Sequence, residues 1–170
     1  MSGNDIVSPS RNPVASGIAL LLFVGGCLAV SAAGGLITRA SVDTWYATLL
    51  KPELTPPNWV FPAVWTTIFV LMAIAAWRIW RAAGWRRGRS AFVLFGAQLA
   101  LNLGWSALFF GLQMIGAALF EAVALLALVI ATLVAFWKID RVAGALLVPY
   151  ALWVGYAVFL TAMLWRLNPV

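Results

Sequence analysis

The sequence predicts an all-α fold, an integral membrane bundle of five transmembrane helices. Of its 170 residues, 64% are apolar and only 9% are charged, whereas soluble domains average roughly half apolar and a quarter charged. Five apolar runs make up most of the chain, and each approaches the ~20 residues that cross a bilayer as a helix. Ten tryptophans against no histidine and one cysteine exclude histidine-dependent catalysis, His-ligated metal sites and a disulfide framework. No metal and no cofactor are expected.

The elements follow one another with little room for loops. A polar tail at residues 1–13 precedes a transmembrane domain at 14–170, whose spans we place at 14–37, 60–80, 91–112, 116–137 and 143–165. Each run is bounded by charge, Gly or Pro. A small-residue stretch at 31–33 leaves a signal peptide open as the alternative for the first run. The connection at 112–115 is so short that the third and fourth spans must be antiparallel neighbours.

The first loop, residues 38–59, is the longest connection. It carries Trp45, Tyr46 and Trp59 among three prolines, which hold the backbone semi-rigid. A rigid aromatic loop beside the mouth of a bundle can act as a lid, because it loses little entropy when a ligand binds. The alternative is a loop that merely lies in the head-group region.

Basic residues are concentrated on one side of the predicted bundle. The stretch between the second and third spans holds five of the eleven, namely Arg78, Arg81, Arg86, Arg87 and Arg89. With five spans, the side that carries these arginines also carries Arg11, Lys138 and Arg141, which makes eight basic residues. The other side carries three, namely Arg39, Lys51 and Arg166. This bias predicts a cytoplasmic N-terminus in a bacterial inner membrane, with the outer membrane as the alternative. The same arginines fit a patch for anionic lipid head groups, and no nucleic-acid partner is expected.

The third span presents two different faces. At 100° per residue, Gln98, Asn102, Trp105 and Phe109 fall on one side. Amides in hydrocarbon need partners, so these side chains either bond neighbouring helices or line a polar-spotted cavity.

The opposite face of the third span consists of Gly96, Ala100 and Gly104. Small residues at this spacing let another backbone approach closely, which drives helix association in lipid. The partner is either another helix of the bundle or a second protomer, and the second reading makes these residues the interface of a homodimer.

Aromatic stripes lie on two further spans. The second span carries Trp65, Phe69 and Met72 on one stripe, and the fifth span carries Tyr150, Trp153, Ala157 and Thr161. Such stripes are usually core. However, an indole N–H in a dry interior must find an acceptor, so a flat aromatic ligand explains tryptophans on three spans better than simple packing does.

Two isolated side chains also stand out. Glu121 lies about two turns into the fourth span, where a carboxylate is costly unless it is neutral, paired or wet, and it is therefore a functional candidate. No base, nucleophile or metal partner for it is visible. Cys27 lies among small apolar residues and is expected to be an inert packing residue.

Several motifs together resemble a known family. They are Trp45-Tyr46 with Lys51-Pro52, the runs 55–62 and 64–66, the run 98–102 with Trp105 and 109–111, and the run 148–150 with Trp153 and Trp165-Arg166. In this order and spacing the sequence resembles the tryptophan-rich sensory protein (TspO) / translocator protein family, whose animal members are the peripheral-type benzodiazepine receptors (MBR). The resemblance extends over residues 45–168.

The resemblance implies a five-helix membrane bundle, commonly a homodimer, with a pocket under the first loop. Family ligands are porphyrins and related tetrapyrroles, steroids and synthetic aromatic drugs. Trp45, Tyr46, Asn102 and Trp105 match pocket positions of the family. Ala162 stands where the family's cholesterol motif has a tyrosine, which argues against cholesterol recognition of the animal kind. Adding the stripes described above, we expect the ligand-binding set to be Trp45, Tyr46, Trp59, Trp65, Phe69, Gln98, Asn102, Trp105, Tyr150, Trp153, Ala157 and Thr161.

Three functions remain open on the sequence. The first is a receptor or transport-type protein that binds a porphyrin or related tetrapyrrole, with a sterol or a lipid as alternative ligands. The second, implied by the resemblance, is light-dependent porphyrin breakdown, for which Trp65 and Trp153 are the catalytic candidates and neither is firm. Without histidine to ligate haem iron, its substrate would be a metal-free porphyrin. The third is a structural membrane subunit that docks a partner complex.

Overall fold

The computed structural model describes residues 12–169 and forms a helical bundle. Its helices are α1 (Pro13–Val42), α2 (Trp45–Thr48), α3 (Val60–Arg87), α4 (Arg89–Ser106), α5 (Ile115–Ile139), α6 (Arg141–Ala145) and α7 (Val148–Leu167). A π-helical turn, Ala107–Gly111, extends α4. Five of the resulting helical segments are long and apolar enough to cross a membrane, and no strand occurs in the described range. The predicted all-α membrane fold is therefore confirmed, while residues 1–11 of the predicted tail, with Arg11, lie outside the described residues.

Two helices are longer than the apolar runs that predicted them. The first ends at Val42 rather than at residue 37, so the first loop is shorter than expected. The additional residues of this helix are partly polar, and their hydroxyl groups are hydrogen-bonded. The Thr38 hydroxyl donates to the Gly34 carbonyl (2.9 Å), and the Ser41 hydroxyl donates to the Phe110 carbonyl (2.8 Å). Helix α3 runs on to Arg87, and only Gly88 separates it from α4. Hydropathy does not detect these polar helical turns.

The bundle has two apolar cores. The larger one joins α1, α3, α4, α5 and α7 around Met72, Ile79, Phe136 and Tyr150, each almost fully buried. The smaller one lies where the end of α4 meets α1, α2 and α7, around Phe109 and Phe110. Leucines on the outer face of α1 are exposed, as is expected of side chains that face lipid.

A glycine breaks α3 near its end. Gly84 has φ 66° and ψ 179°, a conformation that side chains other than glycine rarely adopt. The chain after it changes direction and enters α4 through Gly88, where a Cβ would lie 2.8 Å from the Gly84 carbonyl oxygen and 3.0 Å from the Phe92 ring. These two glycines therefore hold a tight turn between the second and third spans.

An ion pair ties the end of α3 to the connection between α5 and α6. Arg78 Nη2 lies 2.8 Å from Asp140 Oδ2, and Asp140 also caps α6 by accepting from the backbone N–H groups of Val142 and Ala143. Desolvation alone would raise the pKa of the Asp140 carboxyl, but the backbone donors and the Arg78 guanidinium outweigh it and lower the pKa below its usual 3.8. The charged form is thus favoured in the folded protein.

Asp140→Asn is expected to lower stability at pH 7 by up to about 1 kcal/mol, the scale of a partly exposed ion pair. Asparagine caps helices as well as aspartate does, so the loss reports mainly the ion pair. A carboxyl with a depressed folded pKa contributes its stability above the unfolded pKa of 3.8, and the contribution is lost as pH falls through the lower folded value. Thermal midpoints in detergent should therefore differ at pH 7 and converge below pH 3.8.

Glu53→Gln is the control for this experiment, because it removes the same charge from an exposed residue of the first loop. It should leave the midpoint unchanged. A difference between the wild type and Asp140→Asn that persists undiminished at low pH would contradict the ion-pair assignment.

Candidate functional site

Three buried polar side chains connect α4 to α7. The Tyr150 hydroxyl donates to Gln98 Oε1 (2.7 Å) and accepts from Asn102 Nδ2 (3.2 Å). The amide nitrogen of Gln98, Nε2, donates to Met72 Sδ (3.7 Å). Of the two roles open to these amides, bonding a neighbouring helix is the one seen in this structure.

Aromatic rings from α3 surround this network. The Trp65 ring meets Tyr150 edge-on at 6.3 Å between centroids and tilts over Phe69 at 5.9 Å. Phe69 itself is buried in the larger core. Thr161 is buried too, and its hydroxyl donates to the Ala157 carbonyl one turn back along α7 (2.7 Å). Trp65, Phe69 and Tyr150 thus lie together, while Thr161 and Ala157 bond each other within their own helix.

A second aromatic group lies apart from the first. Trp105 stacks on Phe109 with centroids 5.0 Å apart, and Trp45 and Tyr46 meet the same Phe109 ring edge-on at 5.5 and 6.1 Å. Trp105 Nε1 is buried without a hydrogen-bond partner in the described part of the chain. Trp59 belongs to neither group and is 73% exposed. Most of the predicted binding residues therefore lie in two separate clusters.

A groove between α3 and α7 provides open space. Its volume is about 630 Å³. The lining is almost wholly apolar and consists of Ala63, Val64, Thr67, Ile68, Leu71, Pro149, Leu152, Trp153 and Tyr156. Of the expected ligand-binding residues only Trp153 is in this lining. Its ring is flanked by Phe61 at 5.9 Å and Tyr156 at 5.7 Å.

Tyr156 is not among the residues expected from the sequence to bind a ligand, although its position offered a signal. It follows Trp153 by three residues, so the two side chains lie on the same side of the helix. The Tyr156 hydroxyl donates to the Leu54 carbonyl and so fastens the first loop beside the groove.

A second contact fastens the first loop to the end of α7. The Asn168 side chain accepts from the Leu50 N–H (3.0 Å) and donates to the Leu50 carbonyl (3.0 Å). Together with the Tyr156 contact, this shows that the loop runs back along α7. Nearby, Lys51 Nζ lies 4.7 Å from the centre of the Tyr46 ring, and burial raises the pKa of the Tyr46 phenol.

The small-residue face of α4 divides between two environments. Gly96 and Ala100 are exposed, and a Cβ on Gly96 would meet no atom within 4 Å. Gly104 instead faces α5, where a Cβ would lie 3.6 Å from Glu121 Oε1. Both Glu121 oxygens are shielded and have no hydrogen-bond partner among the described residues. Residues 12–169 contain no cluster of three side chains able to hold a metal ion.

Comparison with known proteins finds a matching family model and several similar proteins. The sequence model of the TspO/MBR family matches residues 23–166. Tryptophan-rich protein TspO of Chlorobaculum tepidum is 42% identical over 154 residues, which cover 89% of this chain and 97% of that protein. Protein CrtK of Rhodobacter capsulatus is 37% identical, with coverage of 89% and 96%. Translocator protein of Bos taurus is 35% identical, with coverage of 92% and 90%.

Tyr150→Phe is expected to destabilise the bundle by about 1–2 kcal/mol, because it removes the oxygen that donates to Gln98 and accepts from Asn102. Gln98 Oε1 and Asn102 Nδ2 then stay buried without this partner. The measurement is the thermal midpoint in detergent. Tyr156→Phe is the matched control, since it deletes the same atom from a hydrogen bond at the exposed loop and should cost less. Equal shifts for the two variants would contradict the role given to the buried network.

Proposed function

The chain belongs to the TspO/MBR family, which supports a membrane receptor or transport-type role, and we propose that it binds a porphyrin or related tetrapyrrole in the groove between α3 and α7. The observation that carries this proposal is the groove itself, about 630 Å³ in volume and lined by Trp153. Sites for small molecules commonly have volumes of about 300–1,000 Å³ and largely apolar walls.

The lining chemistry favours a flat apolar ligand. Trp153 and Tyr156 present aromatic faces, and planar rings stack on such faces with an attraction beyond area burial. The lining includes no charged side chain, so the macrocycle rather than its carboxylates is what the groove would recognise. The first loop, held beside the groove by Tyr156 and Leu54, is in the position that a lid would need.

The residues on α4 support the same site indirectly. Gln98 and Asn102 hold Tyr150, which fixes the rotation of α7 and hence the direction of Trp153. In this proposal the two amides position the wall of the groove and do not touch the ligand.

Protoporphyrin, a metal-free porphyrin, is expected to quench the intrinsic tryptophan fluorescence of the protein in detergent. Trp153→Leu should weaken the affinity about tenfold, because it removes a stacking surface. Thr67→Phe should weaken it at least as much, since a phenyl ring would occupy the groove from α3. Titrations are made in the dark, which keeps photochemical loss of the porphyrin out of the signal.

Thr66→Phe is the matched control, because Thr66 is the exposed neighbour of Thr67 and does not line the groove. It should bind like the wild type. If Thr67→Phe binds porphyrin with unchanged affinity while Asn102→Leu loses affinity, the groove assignment is wrong. That result would favour a ligand site beside the amides of α4.

We also propose that the protein is a homodimer that associates through α4. Gly96 and Ala100 are exposed and lie one turn apart, which supports close approach of a second copy. Gly104 is left out of this face because it packs against Glu121 of its own chain.

Ala100→Leu is expected to shift the protein from dimer to monomer in detergent, because the larger side chain keeps the two helices apart. The oligomeric state is read from light scattering coupled to size exclusion. Ala127→Leu adds the same side chain to an exposed position of α5 and should leave the dimer intact. A dimer that survives Ala100→Leu counts against this interface.

The exposed cations support an orientation. Arg81, Arg86, Arg87, Arg89, Lys138 and Arg141 are all exposed on the side where α3 meets α4 and α5 meets α6. From the positive-inside rule we infer that this side, and with it the N-terminus, faces the cytoplasm. An inner-membrane location is consistent with this arrangement.

A further inference from the structure

The turn between α3 and α4 carries basic side chains that no acidic side chain of residues 12–169 neutralises. Arg86, Arg87 and Arg89 are all exposed. Among residues 12–169 the one ion pair is that of Arg78 with Asp140, so these three guanidinium groups have no acidic partner there. Like charges this close repel one another, and an anion bound between them would relieve the repulsion.

A groove of about 410 Å³ opens beside these arginines. It is lined by Trp85, Arg86, Arg89, Phe92 and Val93. Two of its five lining residues are cationic and three are apolar, and the apolar ones remain accessible, with Trp85 at 60% and Val93 at 63% exposure. A small soluble anion would make no favourable contact with these apolar side chains.

The apolar wall is a cluster of aromatic rings. Trp85 and Phe92 lie 4.6 Å apart between centroids, and Phe23 of α1 lies 6.0 Å from each of them. Exposed indoles at the ends of membrane spans sit at the level of the lipid head groups. The rings therefore present a surface that suits the upper part of an acyl chain.

The two glycines of the turn bring charges and rings together. The break at Gly84 lets Trp85 and Arg86 leave the line of α3, and the close approach at Gly88 sets the first turn of α4 against it. As a result, an arginine from each helix faces the same space. A regular helix end would have spread these side chains around its axis.

We propose that this groove binds the head group of an anionic phospholipid. The lipid phosphate lies between Arg86 and Arg89 in charge-assisted hydrogen bonds, and the glycerol and proximal acyl carbons pack on Trp85, Phe92 and Val93. A membrane lipid satisfies both halves of the groove at once, whereas inorganic phosphate satisfies only the cationic half. This site is separate from the proposed tetrapyrrole groove and shares no lining residue with it.

The test uses the full-length protein stripped of lipid in a non-ionic detergent. Phosphatidylglycerol and phosphatidylcholine with identical acyl chains are titrated and bound lipid is counted by native mass spectrometry. Phosphatidylglycerol should bind at least about tenfold more tightly, because two basic side chains of the groove attract its anionic head group. Arg86→Gln combined with Arg89→Gln should bring its affinity down to that of phosphatidylcholine.

Lys138→Gln combined with Arg141→Gln is the matched control. It removes the same two charges from exposed residues that lie on the same side of the bundle but do not line the groove, and it should keep the preference for phosphatidylglycerol. Trp85→Ser tests the apolar half, because it leaves every charge in place and should still weaken lipid binding severalfold.

Three results would overturn the proposal. The wild type could bind both lipids equally, the two double variants could lose phosphatidylglycerol to the same extent, or millimolar inorganic phosphate could displace the lipid completely while Trp85→Ser has no effect. The last result would identify a site for free anions. An unchanged thermal midpoint in the arginine variant shows that it is folded. Because neither this control nor the lipid titration involves porphyrin, the outcome is independent of the proposed function.

Discussion

The absence of water in the bilayer core is the constraint on which the arrangement depends, because every polar side chain there must find its partner within the protein. Gln98, Tyr150 and Asn102 meet that requirement together, in a chain of hydrogen bonds that joins the third and fifth spans. The bonds fix how α7 is rotated about its own axis. Trp65 packs against Tyr150, and Phe69 packs against Trp65. The rotation of α7 then determines where its other side chains point.

One helix thereby serves three regions of the molecule. Tyr150 holds α7 in the core, Trp153 and Tyr156 form a wall of the groove, and Asn168 at its end secures the first loop by pairing with both backbone groups of Leu50. A loop tied at Leu50 and Leu54 is restrained along α7 while its remaining residues stay free of such bonds to that helix. The same helix therefore holds the loop and forms a wall of the groove.

The two ends of the bundle differ in chemistry. At one end an aromatic cluster of Trp45, Tyr46, Trp105 and Phe109 closes the space between α1, α2 and α4. At the other end arginines crowd a glycine turn whose backbone admits little change. Glu121 and Trp105 are exceptions to the satisfaction of polar groups, since neither the Glu121 oxygens nor Trp105 Nε1 is bonded within residues 12–169. A carboxyl at this depth is costly unless it is neutral, paired or wet.

The sequence by itself determined the number of spans and their order, because the length of an apolar run is a local property that bilayer thickness converts directly into a helix. It also identified Gln98 and Asn102 as amides that need partners and Tyr150 as a member of an aromatic stripe. Only the tertiary structure decided that most of the expected binding residues form two clusters, that Trp153 and the overlooked Tyr156 share a groove, and that Gly104 faces Glu121 while Gly96 remains open. The reason is physical: in a membrane helix the side facing lipid is as apolar as the side facing protein, so hydropathy does not record how each helix is turned toward its neighbours. That rotation is set by packing between helices, and with it the direction of every side chain that the sequence could only list as a candidate.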